Sequence, residues 1–565
     1  MLLILLSWLY ILVISLILGV SINKFLGVKN QDTIITVFLG FFGVTLIAGF
    51  WAIPLAIDAV FHIILLIITI FFGYHNREQL IEYLKRIKSE IQGLTIFIKG
   101  LLFILGLLII AQCASPPFLI DNESYYIQTI KWLNEYGFVY GLVNLHPFLG
   151  QTSGWHILQS AFNFSFLYDR FNDLSGLALL LGNTYALFKL NTYVTKKEKS
   201  KLNLAIGLFP LWNVFFFQFI SAPSPDVAIY VISIILMHQF ALCYSSFTQK
   251  SFYAVVLLSL FISFIKLTGL VFCLFPIILF KRHFIFTRRT TVMVMFFSSL
   301  TVLLFVIKNL IVAGNVLFPL QGIESLKTTW SLPLSVETYF SNYMQPYAYH
   351  LSQEAYENAS ILLRLKSWLF APVPHGLFNV IMIGLLIIMP LIIKKHFNKY
   401  ALWIIYGIAI LNMVLLLLSS PQYRFFFPFI LCFSLLIASL LLTHKKTIKV
   451  VLIGSTILTA IPLFFQVNNM HFTKNMYHQV TSQFSLDYVV HPFKNSRYPE
   501  EYKTIQLEKT TINTPSQVDF FWGTGNIPIP AVNKEQLDYF NTYFNVIPQQ
   551  QTENLKDGFH ALEQK

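Results

Sequence analysis

Long apolar runs recur along this chain and are separated by short polar segments. A membrane-spanning helix needs about 20 predominantly apolar residues, and the runs have about this size. The pattern therefore predicts an all-α, polytopic membrane protein with about 14 spans, within a range of about 12 to 14. The predicted spans are residues 2–21, two in 33–73 with a break at Pro54, 94–113, 174–190, 202–220, 227–244, two in 252–280 with a break at 266–269, 291–312, 377–393, 402–418, 425–442 and 450–465.

The polar segments predict three regions along the chain: an N-terminal set of membrane helices in 1–93, a core in 94–466 and a C-terminal region without spans in 467–565. Within the first region, residues 77–90 have the pattern of a basic amphipathic helix on the inner membrane surface. The core contains two large outer loops, 114–173 and 313–375, and helical spacing in the first loop predicts two helices lying on the outer surface. We expect the C-terminal region to be a small extracytoplasmic arm on these loops.

Composition supports the membrane assignment. Hydrophobic residues make up 56% of the chain and charged residues 12%, which is too few charges for the surface of a soluble protein of this size. The net charge is +13, but the basic residues concentrate in short segments between apolar runs. This bias predicts a cytoplasmic position for those segments, both termini outside, and a bacterial inner membrane protein with no nucleic-acid partner. The four cysteines show neither a disulfide framework nor metal-site spacing.

The first large loop begins with residues 121–126, Asp-Asn-Glu-Ser-Tyr-Tyr, just beyond a predicted span. Two carboxylates at a membrane surface, Asp121 and Glu123, have the chemistry of a general base or of a divalent-metal site. Acidic residues also cap helix N-termini and interact favourably with the helix dipole. From these residues alone, catalysis and helix capping are equally good interpretations.

Other polar residues lie at the predicted outer ends of spans: Asp226, Lys266, Lys308 and Arg424, with His146, Asn309 and Gln422 as further outer-face candidates. Positive charges on the outer side oppose the orientation rule, so another partner must favour them there. A lipid-linked phosphate would do so, because arginine binds phosphate bidentately and lysine supplies a point charge. The structural alternatives are a helix cap for Asp226, headgroup contact for the lysines, and non-specific lipid binding for Arg424.

Together these residues give the chain a family resemblance. The stretch Asp121–Tyr126 leading to Trp132, Gly137 and His146 resembles the first outer loop of the GT-C fold membrane glycosyltransferases, in the version found in a large group of bacterial multi-spanning proteins. The resemblance covers residues 94–442 and includes several later pieces: Ser224-Pro225-Asp226, Lys266-Leu267-Thr268-Gly269, Asn309 with Gly314-Asn315 and Phe318-Pro319, and Pro421 with Tyr423-Arg424-Phe425. This chain departs from the family pattern in its three additional N-terminal spans and in Asn122, where many relatives have glutamate.

The resemblance implies an inverting hexosyl- or pentosyltransferase that uses a polyprenyl-phosphate sugar and a glycan or lipid acceptor in cell-envelope assembly. It implies that Asp121, with Glu123 second, is the catalytic base or a ligand of Mg²⁺ or Mn²⁺. Arg424 and one of Lys266 or Lys308 would bind the donor phosphate. Two other functions stay open: a transporter or flippase of lipid-linked glycans, and a glycan polymerase or ligase. A transporter predicts ionisable residues near the bilayer midplane, whereas here the charges cluster at span ends.

Overall fold

The computed structural model describes residues 1–168, 172–196, 199–284, 287–322, 327–468, 476–518 and 520–563. Within these residues, 10 helices are long and apolar enough to cross a membrane, and a bent helix pair raises the number to 11 if it counts as one span. The protein is therefore a multi-pass α-helical membrane protein. Parts of the predicted loop 313–375 and of the C-terminal region 467–565 lie outside the described residues.

The helices of the first half, in chain order, are α1 (Leu2–Leu26), α2 (Thr33–Trp51), α3 (Ala59–His75), α4 (Arg77–Gln92), α5 (Ile96–Ala114), α6 (Ile127–Glu135), α7 (Gly154–Ala161), α8 (Ser175–Thr195), α9 (Lys201–Gly207), α10 (Asn213–Phe216), α11 (Pro225–Ser245), α12 (Gln249–Ile265) and α13 (Leu274–His283). The second half contains α14 (Arg288–Ala313), α15 (Leu334–Tyr349), α16 (Gln353–Asn358), α17 (Ile361–Leu369), α18 (His375–Ile392), α19 (Tyr400–Leu418), α20 (Tyr423–Leu441), α21 (Lys445–Phe464) and α22 (Lys534–Phe544). Four strands lie near the C-terminus: β1 (Tyr502–Leu507), β2 (Thr510–Pro515), β3 (Val546–Gln550) and β4 (Phe559–Glu563).

The predicted number of 14 spans is too high. Four predicted spans fall short of the length or the apolarity required: α3 and α12 have 17 residues each, α13 has 10, and α8 has 21 but carries Asn183, Lys189 and Asn191. The apolar run 252–280 is divided at Lys266, as the sequence predicts, but the two resulting helices are too short to cross a bilayer straight. Helix breaks therefore reduce the span count that hydrophobicity alone suggests.

Small residues let the first two helices cross closely. A Cβ atom added at Gly19 of α1 would lie 1.9 Å from the carbonyl oxygen of Thr36, and one added at Gly40 of α2 would lie 1.8 Å from that of Ser15. Close backbone approach of this kind is how helices gain packing energy in lipid, where water no longer drives association. The α1–α2 pair joins a continuous buried core that extends through most of the helices.

Two expectations about surface helices have different outcomes. Helix α4, in the predicted amphipathic segment, follows α3 after a bend of 86°. Among the α4 side chains, only that of Tyr83 is buried. Helix α7, predicted to lie on the outer surface, has every residue buried. It packs against α2, α6 and α12, and these neighbours cover its polar side chains as well as its apolar ones.

The C-terminal region combines strands and a helix, which the sequence analysis did not predict. Strands β1 and β2 form one antiparallel pair and β3 and β4 another. The region packs on the first large loop. The Phe559 amide donates to the Tyr140 carbonyl oxygen at 2.8 Å, and the Gln536 side-chain amide donates to the Leu145 carbonyl oxygen at 2.9 Å. The Met1 ammonium group donates to Tyr488 O at 2.6 Å, so the N-terminus lies at the same end of the helix bundle.

Candidate active site

Four elements bring charged residues to one end of the bundle. Asp121 follows the extended segment after α5 and precedes one π-helical turn, Asn122–Tyr126, that continues into α6. Asp226 lies in the first turn of α11, immediately after Pro225. Lys266 is the residue at which α12 ends, and Arg424 lies in the first turn of α20. We call these four residues the charged cluster.

Arg424 is the centre of the charged cluster. Its Nη1 atom lies 3.0 Å from Asp121 Oδ2 and 4.0 Å from Asp226 Oδ2. Lys266 Nζ lies 2.7 Å from Asp226 Oδ1, so the four side chains form a chain of ion pairs with no net charge. The guanidinium Nε donates to Gln422 Oε1 at 2.9 Å. Asp121 and Arg424, which form this ion pair, are 303 positions apart in the sequence.

The helix dipoles do not explain this arrangement. A cation in the first turn of a helix is unfavourable, so Arg424 depends on the two carboxylates for its position. The side chains stay partly open to solvent, with exposed fractions of 31% for Arg424 and 35% for Asp121. A partly exposed ion pair can exchange partners at small cost, whereas a fully buried one cannot. The cluster is therefore suited to receiving an anion or releasing a carboxylate.

Aromatic side chains surround the charged cluster. The Phe425 ring lies 4.7 Å from Lys266 Nζ and 5.2 Å from Arg424 Cζ, which are cation–π distances. The Tyr230 hydroxyl donates to the Arg424 carbonyl oxygen at 3.2 Å. Burial raises the pKa of Tyr125, and the negative charge of Asp121 adds to the shift, so this phenol stays protonated beside the cluster.

His156 lies behind this aromatic wall. Its ring centroid is 4.6 Å from that of Tyr126, and the side chain is buried. Burial lowers the pKa of His156 to about 3, and the positive charge of Lys266 acts in the same direction. The imidazole is therefore neutral and provides packing rather than charge. Tyr125 and Tyr126 belong to the stretch 121–126, but nothing in the sequence pattern singled them out as neighbours of the charged residues.

Glu123, predicted to act with Asp121, faces away from the charged cluster. Its carboxylate accepts hydrogen bonds from the Ser496 hydroxyl and, at 2.9 Å, from the Arg497 amide, while its carbonyl oxygen accepts from the Thr524 and Gly525 amides. Burial raises the pKa of Glu123 to about 7. Glu123 therefore holds the C-terminal region against the first large loop through these hydrogen bonds.

A metal ion shared by Asp121 and Glu123 does not fit these contacts. Asp121 Oδ2 is engaged by Arg424, and both oxygens of Glu123 accept hydrogen bonds from the C-terminal region. Among the residues that the structure describes, no group of three or more His, Cys, Asp or Glu side chains is arranged to hold a metal ion.

Lys308 and Asn309 have separate contacts. Lys308 Nζ donates to the Thr152 carbonyl oxygen at 2.9 Å, and the residue is 4% exposed. Asn309 donates to the carbonyl oxygens of Val316 at 2.8 Å and Phe318 at 3.3 Å, which holds the turn after α14. Of the two lysines proposed for the donor phosphate, Lys266 is the one in the charged cluster.

His146 also has a structural position. Its Nδ1 atom accepts from the Phe148 amide at 3.2 Å, and Nε2 lies 3.4 Å from the Trp522 carbonyl oxygen. Burial lowers the pKa of His146 to about 4, so the ring is neutral at physiological pH. His146 links the first large loop to the C-terminal region through Trp522.

The fold and these contacts define a class: multi-pass α-helical membrane proteins with a charged cluster at the ends of their helices. Residues 1–431 of the chain match the model of one family, described as "Domain of unknown function (DUF8201)". Because this match covers more than half of the 565 residues, the chain belongs to that family. All four residues of the charged cluster lie inside the matched range, and α21 and the C-terminal region lie beyond it. No curated protein matches the chain.

Proposed function

We propose that this protein is a membrane glycosyltransferase that transfers a sugar from a polyprenyl-phosphate donor to an acceptor hydroxyl. The observation that carries the proposal is the position of Arg424 between two carboxylates, with Lys266 on the far side of one of them. This arrangement combines the two groups that the reaction needs: a base for the acceptor and a cationic site for the departing phosphate.

The donor phosphate would compete with Asp121 for the Arg424 guanidinium. Arginine binds phosphate bidentately, whereas Asp121 Oδ2 contacts Arg424 through Nη1. Once released from Arg424, the Asp121 carboxylate is free to accept a hydrogen bond from the acceptor hydroxyl. Donor binding would thus prepare the base, since the two events use the same guanidinium.

In the transfer step, the acceptor oxygen attacks C1 of the sugar and its proton passes to Asp121. The bond between C1 and the phosphate oxygen breaks with its electron pair, so polyprenyl phosphate leaves as an anion. Arg424 and Lys266 stabilise the charge that develops on the leaving phosphate. Asp226 keeps Lys266 in position through the 2.7 Å contact. Attack from the side opposite the leaving group inverts the configuration at C1.

The proposal places the reaction at the extracytoplasmic face of a bacterial inner membrane. The opposite ends of the helices carry most of the paired basic residues: Lys281-Arg282, Arg288-Arg289, Lys394-Lys395 and Lys445-Lys446. Positive segments of this kind are retained in the cytoplasm, so the charged cluster would face the other side. Polyprenyl-phosphate sugars are used on that side of the membrane.

The test is transfer by the purified full chain in vesicles, supplied with a panel of radiolabelled polyprenyl-phosphate hexoses and pentoses and with cell-envelope acceptors. We expect Asp121→Asn to lower transfer by about 10² to 10⁴-fold, the range for a lost general base. Asp58→Asn is the matched control, because Asp58 is also an exposed aspartate but caps α3 through the Val60 amide at 2.9 Å.

Undiminished transfer in Asp121→Asn would reject the assignment of the base. Movement of label across the bilayer without transfer would support a flippase instead. Block addition from a diphosphate-linked glycan, with no use of the monophosphate donor, would support a polymerase or ligase.

A further inference from the structure

Helix α15 carries three tyrosines spaced one turn apart, Tyr339, Tyr343 and Tyr347. The ring centroids of neighbours lie 6.0 Å apart in both steps, and the ring planes differ by only 29° and 26°. Tyr343 is 39% exposed and Tyr347 is 47% exposed. The three ring planes are therefore roughly parallel, with Tyr343 and Tyr347 exposed and Tyr339 half-buried beside Phe540 and Phe544.

The row continues beyond the helix at both ends. At one end, the Tyr339 ring lies 5.8 Å from Tyr539 of α22, in the C-terminal region. At the other end, Tyr347 is followed by His350 at 6.4 Å, His375 at 4.7 Å and Tyr423 at 5.0 Å, each distance measured between successive ring centroids. Tyr423 is the residue before Arg424. We call the path from Tyr539 to Tyr423 the aromatic track.

The chemistry of the aromatic track favours a polyhydroxylated ligand. A tyrosine ring presents an apolar face with negative electrostatic potential and a hydroxyl at its edge. A pyranose sugar has the matching arrangement, with C–H groups on its faces and hydroxyls around its rim. The rings are four residues apart, which is about 6 Å of helical rise and close to the length of one sugar unit in a chain. A face in contact with lipid tails would carry leucine or isoleucine instead.

We propose that the aromatic track binds the sugar chain of the acceptor, with its growing end directed to the charged cluster. The inference rests on the proposed glycosyltransferase function and adds a substrate class to it: a linear oligosaccharide of at least three units. Tyr339, Tyr343 and Tyr347 stack on successive units. The C-terminal region closes the distal end of the track through Tyr539.

Binding is measured with the purified full chain in detergent and defined linear oligosaccharides of glucose, mannose and N-acetylglucosamine, from two to six units long. Affinity rises with chain length, up to about four units, for at least one of these series. The double variant Tyr343→Ala/Tyr347→Ala weakens this binding by about tenfold or more, because each aromatic contact contributes to the total. Tyr343→Phe/Tyr347→Phe keeps the rings and loses about threefold, the share of the hydroxyls.

Tyr502→Ala is the control variant, since Tyr502 is 44% exposed on β1 and lies outside the aromatic track. Two assays separate the two proposals: Asp121→Asn lowers transfer through the loss of the base, whereas the double alanine variant weakens oligosaccharide binding. If Asp121→Asn loses transfer while the double alanine variant binds oligosaccharide as tightly as the wild type, the aromatic track is not the acceptor site. The proposed glycosyltransferase function would still hold in that case.

A membrane role for the same tyrosines gives a different result. Vesicles of phosphatidylethanolamine and phosphatidylglycerol serve as the probe, and their association with the wild type and the double alanine variant is compared. A difference in vesicle association, with no oligosaccharide bound more tightly as its length increases, would identify an interfacial aromatic belt and overturn the proposal. The absence of binding by every oligosaccharide tested would overturn it as well.

Discussion

Asp121 and Glu123 lie two residues apart, yet their carboxylates have opposite surroundings. The Asp121 side chain is 35% exposed and has a cationic partner 3.0 Å away. Glu123 is 0% exposed, and its carboxylate accepts from a hydroxyl and from backbone or side-chain amides. Asp121 and Glu123 lie at the start of a helical turn, where side chains two residues apart do not face the same side.

The first large loop therefore contacts two parts of the molecule, the charged cluster and the C-terminal region. Asp121 faces the ends of the helices and belongs to an ion-pair cluster whose partners can change. Glu123 faces the C-terminal region and belongs to a closed set of hydrogen bonds that holds one arrangement. An anchor of this kind fixes the loop so that Asp121 stays within reach of Arg424.

After Asp121→Asn, the largest expected effect is again on the Asp121 side of this comparison, through Arg424→Lys. Lysine keeps the charge but loses the planar fork that engages a phosphate through two nitrogens. We expect transfer to fall by about 10² to 10³-fold, the range for removing one preorganised donor at a developing charge. Arg364→Lys is the matched control, because Arg364 contacts the Tyr356 ring and carbonyl on a different helix. Equal activity in both variants would separate Arg424 from the chemistry.

On the Glu123 side, we expect docking of the C-terminal region to depend on pH. The docked state binds a proton with a pKa of about 7, whereas the released carboxyl has an ordinary pKa of 4.5. Docking therefore loses stability as pH rises from 4.5 through 7, by about 3 kcal/mol in total, and the loss is complete above pH 7. Glu123→Gln cannot ionise and should remove this dependence.

The measurement is hydrogen exchange of the Arg497 amide, which donates to Glu123, after correction for its intrinsic rate. Protection in the wild type should fall between pH 5 and pH 8, and protection in Glu123→Gln should stay constant. A wild-type profile as flat as that of the glutamine variant would show that Glu123 does not titrate in this range.

Glu123→Ala should weaken the same contact without regard to pH. It leaves the Ser496 hydroxyl and the Arg497 amide without their acceptor, at a cost of about 2 kcal/mol. Faster tryptic cleavage in residues 494–503 would report the loosened docking. Glu500→Ala is the control, since Glu500 pairs with Lys494 at 3.3 Å on the exposed surface. The same cleavage rate in both variants would contradict the anchoring role.

The smallest effect should come from Lys308, whose ammonium group donates to the Thr152 carbonyl oxygen, in contrast to Lys266 in the charged cluster. We expect Lys308→Met to keep transfer within about threefold, because an apolar chain of similar length replaces a desolvated ammonium group. Lys266→Met should lower transfer by at least tenfold more than Lys308→Met does, through the loss of cluster charge. Initial rates at saturating and limiting donor would compare the two, and a larger loss in Lys308→Met would return Lys308 to the phosphate site.

Much of the membrane architecture follows from local sequence, while the count of spans does not. Leucine- and isoleucine-rich runs place helices such as α1 and α19 within a few residues of their observed bounds. Hydrophobicity overestimates the spans at α8, α12 and α13, because helix breaks and interior polar residues are tolerated where neighbouring helices surround them. The burial of α7 likewise depends on its neighbours and not on its own period.

By itself, the sequence determined that this is a multi-pass helical membrane protein with polar residues gathered at helix ends, because hydrophobic length and charge bias are properties of short segments. Only the tertiary structure decided which of those residues meet. Arg424 contacts Asp121 across 303 positions, Lys266 pairs with Asp226, and Glu123 turns to the C-terminal region. Side-chain direction and the packing of distant helices set these contacts, and neither is encoded in the spacing of residues along the chain.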